Sequence, residues 1–241
     1  MKRYRLTAVL LALALLVTML CGCNQSGDYT YEVNEDGTLT ITAYHGDDAV
    51  VEIPKTLNGK TVTVIGEKAF NEVQTMQTLI IPDTVTTLEL LSFNTCNSLT
   101  SVTIPDSVTT MVKSVFFQCE ALEEIVLPDS ITTMGPLCFG CCTALKRVTL
   151  PEGLKVITEG QFAMATSLES MELPEGVTTI EENAFWLCEN MTSINLPASI
   201  THIGEGAFAD CKNLTSIYVE EDSYAEQYIK DLGWGAVLKY D

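Results

Sequence analysis

The stretch "PDSVTTMVKSVFFQCEALEEIVL" runs from Pro105 to Leu127, and a second Pro-Asp-Ser begins directly after it at Pro128. The same interval of 23 residues separates seven phenylalanines: Phe70, Phe93, Phe116, Phe139, Phe162, Phe185 and Phe208. A period of about 20 to 29 residues with fixed apolar columns is typical of leucine-rich solenoids, in which each coil buries its apolar side chains against its neighbours. The spacing therefore predicts a repeat solenoid of about seven coils.

Each repeat contains one short strand that ends at a proline. Ile125 and Leu127 alternate with polar residues, which is the periodicity of a strand with one buried face. Pro128 follows at once, and proline ends a strand because it has no N–H to donate to the ladder. Stacked coils should therefore align these strands as a parallel sheet.

The first residues have the layout of a secretory signal. Three basic residues precede an apolar run from Leu6 to Leu20, which is too short to span a bilayer comfortably. The "LCGC" that follows resembles a lipobox, so we expect a signal peptide at 1–22 and acylation of Cys23, with residues 23–28 as a short tether. The alternative is a short membrane anchor that is not cleaved. Both interpretations place the domain outside the cytoplasm and close to a membrane.

The charge balance limits the possible partners. The chain has 13 basic and 32 acidic residues and a net charge of −19, and three of the basic residues lie in the predicted signal. Phosphate backbones are bound mainly through lysine and arginine, so nucleic acid is excluded as a partner. Anionic headgroups are excluded for the same reason, which leaves the N-terminal lipid as the only expected membrane contact.

Several motifs resemble the BspA-type leucine-rich repeats of bacterial surface proteins. They are "IGEKAF" at Ile65–Phe70, "IGEGAF" at Ile203–Phe208 and the repeated F-x-x-C-x-x-L, and the resemblance covers about Val62 to Val219. It implies a right-handed leucine-rich solenoid at 62–219. "EDGTLTITAY" and "SYAEQYIKDLGW" resemble the caps of that family, which implies an N-terminal β cap at 29–61 and a C-terminal helical cap at 220–241.

The cysteines and the carboxylates of the repeat form columns that could bind metal ions. The cysteine column holds Cys96, Cys119, Cys142, Cys188 and Cys211, and we interpret it as small apolar packing rather than as disulfides, because side chains in one column point the same way. The C-x-x-C of Cys138 to Cys141 lacks nearby histidines for a zinc site. The acidic column is Asp83, Asp106, Asp129, Glu152 and Glu175, which could hold calcium or stay as solvated turn carboxylates.

The search for an enzyme site finds no catalytic residues. The only histidines are His45 and His202, neither near a nucleophile motif, and there is no phosphate-binding glycine loop. We therefore expect no catalysis, no cofactor and no metal. A structural spacer or scaffold in the cell envelope, or an envelope enzyme with an unrecognised site, remain as alternatives.

The outward positions of the strands are the candidate binding surface. Seven of these fourteen positions are Ser or Thr, and four others carry groups capable of strong contacts: Glu124, Arg147, Glu172 and Tyr218. Solenoids commonly bind partners on such an extended face. The predicted function is recognition or adhesion at the cell surface, with a protein or another macromolecule of the surface or envelope as partner, as the resemblance implies. The alternative is a β face that only provides solubility.

Overall fold

The computed structural model describes residues 24–240, so the predicted signal peptide and the acylation of Cys23 lie outside the described residues. The strands are β1 (Asn24–Ser26), β2 (Tyr29–Val33), β3 (Leu39–Tyr44), β4 (Val50–Glu52), β5 (Thr56–Leu57), β6 (Lys60–Ile65), β7 (Thr78–Ile80), β8 (Thr87–Leu88), β9 (Ser101–Thr103), β10 (Thr110–Met111), β11 (Glu124–Val126), β12 (Thr133–Met134), β13 (Arg147–Thr149), β14 (Val156–Ile157), β15 (Ser170–Glu172), β16 (Thr179–Ile180), β17 (Ser193–Leu196), β18 (His202–Ile203), β19 (Ser216–Val219) and β20 (Leu238–Tyr240). Helix α1 spans Tyr224–Asp231, and a 3-10 turn spans Gly235–Val237. Neither could cross a membrane, since no helix within residues 24–240 is both long and apolar enough.

The coils stack as two parallel ladders, which confirms the predicted solenoid. Ladder A contains the strands before the prolines and runs through β4, β7, β9, β11, β13, β15, β17, β19 and β20. Ladder B contains the short strands on the far side of each proline turn and runs through β6, β8, β10, β12, β14, β16 and β18. Strands β4 and β20 extend ladder A by one strand at each end beyond the seven coils of the repeat.

Both ladders are interrupted. Ladder A is hydrogen-bonded in three blocks, with breaks between β9 and β11 and between β13 and β15. Ladder B breaks between β12 and β14, next to Pro136, which lies off the 23-residue spacing. Each break in ladder A follows a strand whose inward residue is valine, Val102 or Val148, and both valines are half-buried.

The seven repeat phenylalanines form a continuous stack along the core. All are buried, and neighbouring rings have centroids 5.1 to 5.9 Å apart. From Phe93 onward the rings are nearly parallel. Buried aromatic pairs in this distance range contribute packing energy beyond the burial of area. The stack therefore couples every coil to the next.

The turns that carry these phenylalanines adopt left-handed backbone at two positions per coil, two residues before and two residues after the ring. Gly160 and Gly206 are the only glycines among these fourteen positions. The others include leucine, methionine and even the β-branched Thr95 at φ 57°. Such a conformation is unusual for non-glycine residues, and here main-chain bonds to the next coil hold it, for example from Thr95 N–H to the Phe117 carbonyl at 2.8 Å.

The N-terminal cap is a β structure, and it includes most of the segment interpreted as a tether. Strand β1 pairs antiparallel with β2, which pairs antiparallel with β3, and β3 joins ladder B through β6. Asn24–Ser26 is therefore part of the cap sheet, and the tether interpretation is corrected for these residues. The sequence of this polar segment has no strand periodicity, so the pairing of its backbone with β2 could not be predicted from it. Tyr44 closes the phenylalanine stack, with its ring centroid 5.1 Å from that of Phe70.

The C-terminal cap is helical. Ser223 begins α1 by accepting a hydrogen bond from Glu226 N–H at 3.2 Å, and the Glu226 carboxylate accepts from Asp222 N–H at 3.1 Å. This arrangement differs from a capping box by one residue, because the Glu226 carboxylate accepts from the residue before the N-cap and not from Ser223 itself. Glu226 is buried and also accepts from the Tyr240 hydroxyl at 2.7 Å, which ties the helix to β20. The cap thus covers the open end of the last coil.

Candidate binding face

The outer face of ladder A carries two columns of outward side chains, as predicted. The first column is Thr78, Ser101, Glu124, Arg147, Ser170, Ser193 and Ser216. The second is Ile80, Thr103, Val126, Thr149, Glu172, Asn195 and Tyr218. Every one of them is exposed or half-buried, while the residues between them pack inward. The most exposed apolar side chain of this face is Val126, at 67%.

Two of the four predicted site residues form an ion pair. Glu124 and Arg147 lie directly opposite on β11 and β13, and Arg147 Nη2 donates to Glu124 Oε2 at 2.9 Å. The hydrogen bond and the negative charge of Glu124 raise the pKa of Arg147 above its usual value. Both side chains are about two-thirds exposed, at 66% and 65%, so the pair contributes little to folding stability. The pair brings opposite charges together across two neighbouring strands.

A second ion pair lies beside the first, just before the two strands. Lys146 Nζ donates to Glu123 Oε2 at 2.8 Å, and this hydrogen bond and charge lower the pKa of Glu123. Sequence reasoning missed this pair, although both residues lie one position before Glu124 and Arg147. Two neighbouring carboxylates of one coil therefore pair with two neighbouring cationic side chains of the next coil.

The other two predicted residues lie apart from this cluster. Glu172 is exposed on β15, and Tyr218 is 37% exposed on β19, where Asn195 and Lys239 flank it in register. Arg147 and Tyr218 are three strands of ladder A apart, which is about 14 Å at the usual strand spacing. The four residues therefore share one face without forming one compact site.

A groove that the sequence did not indicate opens at the break between β9 and β11. It has a volume of 480 Å³ and is lined by Thr100, Ser101, Val102, Glu124, Ile125, Val126, Arg147 and Thr149. The predicted pair Glu124 and Arg147 thus lines the groove. No feature of the 23-residue pattern distinguishes this junction except the valine at the inward position of β9.

The cysteine column packs as small side chains and also donates hydrogen bonds. Each thiol of the column points to the carbonyl of the repeat phenylalanine one coil earlier, at 3.1 to 3.3 Å. Burial raises the pKa of Cys96 and Cys142 to about 12, so these thiols stay protonated. All seven cysteines within residues 24–240 are free.

The residues considered for metal binding are engaged elsewhere. Cys138 is buried and donates to the Gly135 carbonyl at 3.2 Å, while Cys141 contacts Met164 Sδ at 3.7 Å. On the acidic column, Asp83 pairs with Lys55 at 2.7 Å and Asp129 accepts from Glu152 N–H at 2.9 Å. Among the described residues, no group of three or more His, Cys, Asp or Glu side chains could hold a metal ion.

Comparison with known protein families identifies the same type of repeat that the structure shows. The family described as "BspA type Leucine rich repeat region" matches in six copies, over residues 51–163 and 137–230. The crystal structure of the T. pallidum leucine-rich repeat protein TpLRR is 26% identical, with a TM-score of 0.77 over 90% of this chain and 97% of that chain. No curated protein sequence matches the chain.

Two more distant structures share the fold alone. A leucine-rich repeat protein from Bacteroides ovatus is 23% identical, with a TM-score of 0.60 over 83% of this chain and 66% of that chain. The pneumococcal vaccine antigen PcpA is 20% identical, with a TM-score of 0.57 over 81% of this chain and 69% of that chain. The solenoid is therefore an architecture that several bacterial proteins use.

Proposed function

The chain belongs to the family of BspA-type leucine-rich repeat proteins, and from that premise we propose that it is a cell-surface recognition protein without catalytic activity. The observation that carries the proposal is the outer face of ladder A, where charged and aromatic groups stand in register on a background of hydroxyls. In binding interfaces a few arginine and aromatic anchors usually provide most of the energy, while the surrounding polar side chains exclude water.

The partner in this proposal is a protein or another macromolecule of the cell surface or envelope. Arg147 is already paired with Glu124, so a partner carboxylate would have to share or replace that bond. Arginine suits such a role because its five donors form a planar fork. Tyr218 adds a flat apolar area with a polar tip. The strong net negative charge supports a partner that is neutral or basic rather than a polyanion.

Replacing Arg147 and Tyr218 together by Ala is expected to weaken capture of the partner from intact envelopes by at least tenfold, about 1.4 kcal/mol. The fold should be retained, because both side chains lie on the outer face. Capture is measured by cross-linking on cells, and the fold by thermal melting. The control variant replaces Asp106 and Asp129, which lie on the proline turns. If capture survives replacement of Arg147 and Tyr218 but is lost on replacement of Asp106 and Asp129, the binding site lies on the acidic turns. If the wild-type protein captures no partner, the result favours the spacer role.

The proposed location is the outer side of a cytoplasmic or envelope membrane, with a lipid on Cys23. The layout of residues 1–22, a basic start followed by a short apolar run, supports an extracytoplasmic location. Because β1 begins at Asn24, the residue after the proposed acylated cysteine is already part of the cap sheet. The N-terminal cap would therefore lie against the membrane surface, and the far coils would face outward.

Cys23→Ser should abolish acylation and leave the chain either unprocessed or released from the membrane. The physical reason is that the serine hydroxyl cannot form the thioether that carries the lipid. Intact mass and partitioning into detergent measure the change, with Cys141→Ser as a control for the loss of a cysteine. Wild-type mass and partitioning in the Cys23 variant would exclude the lipid anchor without affecting the proposed recognition face.

A further inference from the structure

Ladder B is unpaired at the junction between β12 and β14. At each of the other five junctions from β6 to β18, one N–H just before the later strand and one just after it donate to carbonyls one coil earlier. Thr178 N–H, for example, donates to the Lys155 carbonyl at 2.9 Å, and Glu181 N–H donates to the Ile157 carbonyl at 2.8 Å. The equivalent donors at β14 are the N–H groups of Lys155 and Thr158, and neither is bonded within residues 24–240.

The unbonded groups of this junction belong to residues that line one opening of 290 Å³. Lys155 and Thr158 carry the two donors, and the missing acceptors are the carbonyls of Thr132 and Met134. An unpaired main-chain group costs about 1 to 3 kcal/mol when it is shielded from water. An opening that water can enter lowers this cost, so the ladder can stay unpaired here.

The side chain of Lys155 interrupts a column of threonines. At five other positions of this column a hydroxyl donates to the carbonyl of the equivalent residue one coil earlier: Thr86, Thr109, Thr132, Thr178 and Thr201. Lysine has no hydroxyl for this bond. The junction therefore loses a side-chain bond between the coils in addition to the main-chain bonds.

Gln161 replaces a small buried side chain beside the same junction. The equivalent residue in the other coils is alanine, serine, valine or cysteine: Ala69, Ser92, Val115, Cys138, Ala184 and Ala207. Gln161 is fully buried, and its Nε2 has no partner within the part of the chain that the structure describes. The Thr158 hydroxyl lies within hydrogen-bond distance of both Gln161 Oε1 and the Gly135 carbonyl, but its single proton can serve only one of them. The open arrangement thus leaves polar atoms unsatisfied, so it is not strongly favoured over a closed ladder.

The other sides of the same junction are closed. On ladder A, β11 and β13 pair in register, and Lys146 N–H donates to the Glu123 carbonyl at 2.7 Å. The two ion pairs of the outer face cross this junction as well. On the side of the phenylalanine turns, Phe139 N–H donates to the Gln161 carbonyl at 3.1 Å. The two coils can therefore separate along ladder B while they stay bonded elsewhere.

The breaks of ladder A flank this junction. They lie one coil before it, between β9 and β11, and one coil after it, between β13 and β15. Ladder B is paired at both of those places, through β10 with β12 and through β14 with β16. Three successive junctions in the middle of the solenoid are thus open on alternating sides, whereas the junctions nearer to the two caps are paired on both.

We propose that the junction between β12 and β14 is a hinge at which the solenoid bends, with ladder A as the pivot. In the closed state the N–H groups of Lys155 and Thr158 bond to the carbonyls of Thr132 and Met134. In the open state these four groups face solvent, and the two parts of the domain, 29–134 and 155–240, tilt relative to each other. Bending changes the angle between the parts of the outer face before and after the junction. The hinge does not depend on what this face binds.

The first test measures the amides of the junction by NMR in the purified protein. Lys155 and Thr158 should exchange with solvent at least tenfold faster than their bonded equivalents, Thr178 and Glu181. Relaxation dispersion, which detects motion on the microsecond to millisecond timescale, should show such motion at the first two amides only. Equal protection of all four amides would show a closed ladder, and fast exchange without dispersion would show a fixed gap. Either result would overturn the hinge.

The second test closes the hinge by substitution. Lys155→Thr restores the threonine of its column, and Gln161→Ala restores a small buried residue. Together they should slow exchange of the Thr158 amide at least tenfold and remove its dispersion. Residual dipolar couplings should need two different alignment tensors for 29–134 and 155–240 in the wild-type protein, and one tensor in the double variant. Lys113→Thr is the matched control, because it removes an exposed lysine that does not line the opening.

A single alignment tensor for both parts of the wild-type protein would show that the solenoid does not bend here, and the hinge would be wrong. The same would follow if the Lys113 variant changed the amide of Thr158 as much as the double variant does. If Gln161→Ala unfolds the protein, Lys155→Thr alone is expected to slow this amide, and unchanged exchange in it would contradict the proposal. None of these measurements involves a partner, so the hinge can fail while the proposed recognition role stands.

Discussion

Phe139→Ala is expected to lower the free energy of unfolding by about 3 to 5 kcal/mol, because it removes a fully buried ring and leaves a cavity. The Phe139 ring lies between those of Phe116 and Phe162, at centroid distances of 5.9 and 5.8 Å and nearly parallel to both. Each coil of a solenoid contacts only its neighbours. Loss of a ring in the middle of the stack should therefore also weaken the coupling between the two halves of the domain.

Denaturant unfolding followed by circular dichroism measures this loss. The control is Thr103→Ala on the outer face of ladder A, which should cost less than about 0.5 kcal/mol, as surface substitutions usually do. A transition that splits into two steps in the Phe139 variant would be direct evidence for the uncoupled halves. Equal losses in both variants would mean that the inward and outward columns are assigned incorrectly.

Gly135→Ala is expected to cost about 3 kcal/mol, at the upper end of the range for overpacked sites. A Cβ at this position would lie 1.7 Å from the Val112 carbonyl oxygen and 2.6 Å from its carbon, so the main chain of one coil would have to move. That movement would strain the bond from Gly135 N–H to the Met111 carbonyl, which is 2.9 Å long. It would also disturb ladder B at the point where it is already interrupted.

Gly153→Ala provides the matched control for this prediction. A Cβ at Gly153 meets no atom within 4 Å, and its φ lies outside the left-handed region. Such a substitution is neutral or stabilises by about 0.4 to 1 kcal/mol, because it restricts the unfolded chain. Thermal melting of the two variants under identical conditions gives the comparison. A Gly135 variant as stable as the Gly153 variant would show that the coils are looser at this junction than the contacts indicate.

The 23-residue spacing determined the solenoid, the buried phenylalanine column and the outward columns of ladder A, whereas the two caps were expected only from the resemblance of the flanking segments to the family. Repetition makes this possible, because every member of a column has nearly the same surroundings, so one physical argument applies to all coils. The structure adds a local reason for the cap helix, because Ser223 accepts a hydrogen bond from Glu226 N–H at its first turn.

Only the tertiary structure decided how the coils meet. The thiol of Cys119 donates to a carbonyl 26 residues earlier, and the left-handed backbone at Thr95 is held by a bond to the next coil, so neither has a local signature. The open junction between β9 and β11 also depends on contacts between two coils. A repeat specifies the shape of one coil, whereas the gap between two coils depends on how several side chains of both coils pack together. No single column of the repeat contains this combined packing of several side chains. For this reason the groove beside Glu124 and Arg147 was found only in the structure.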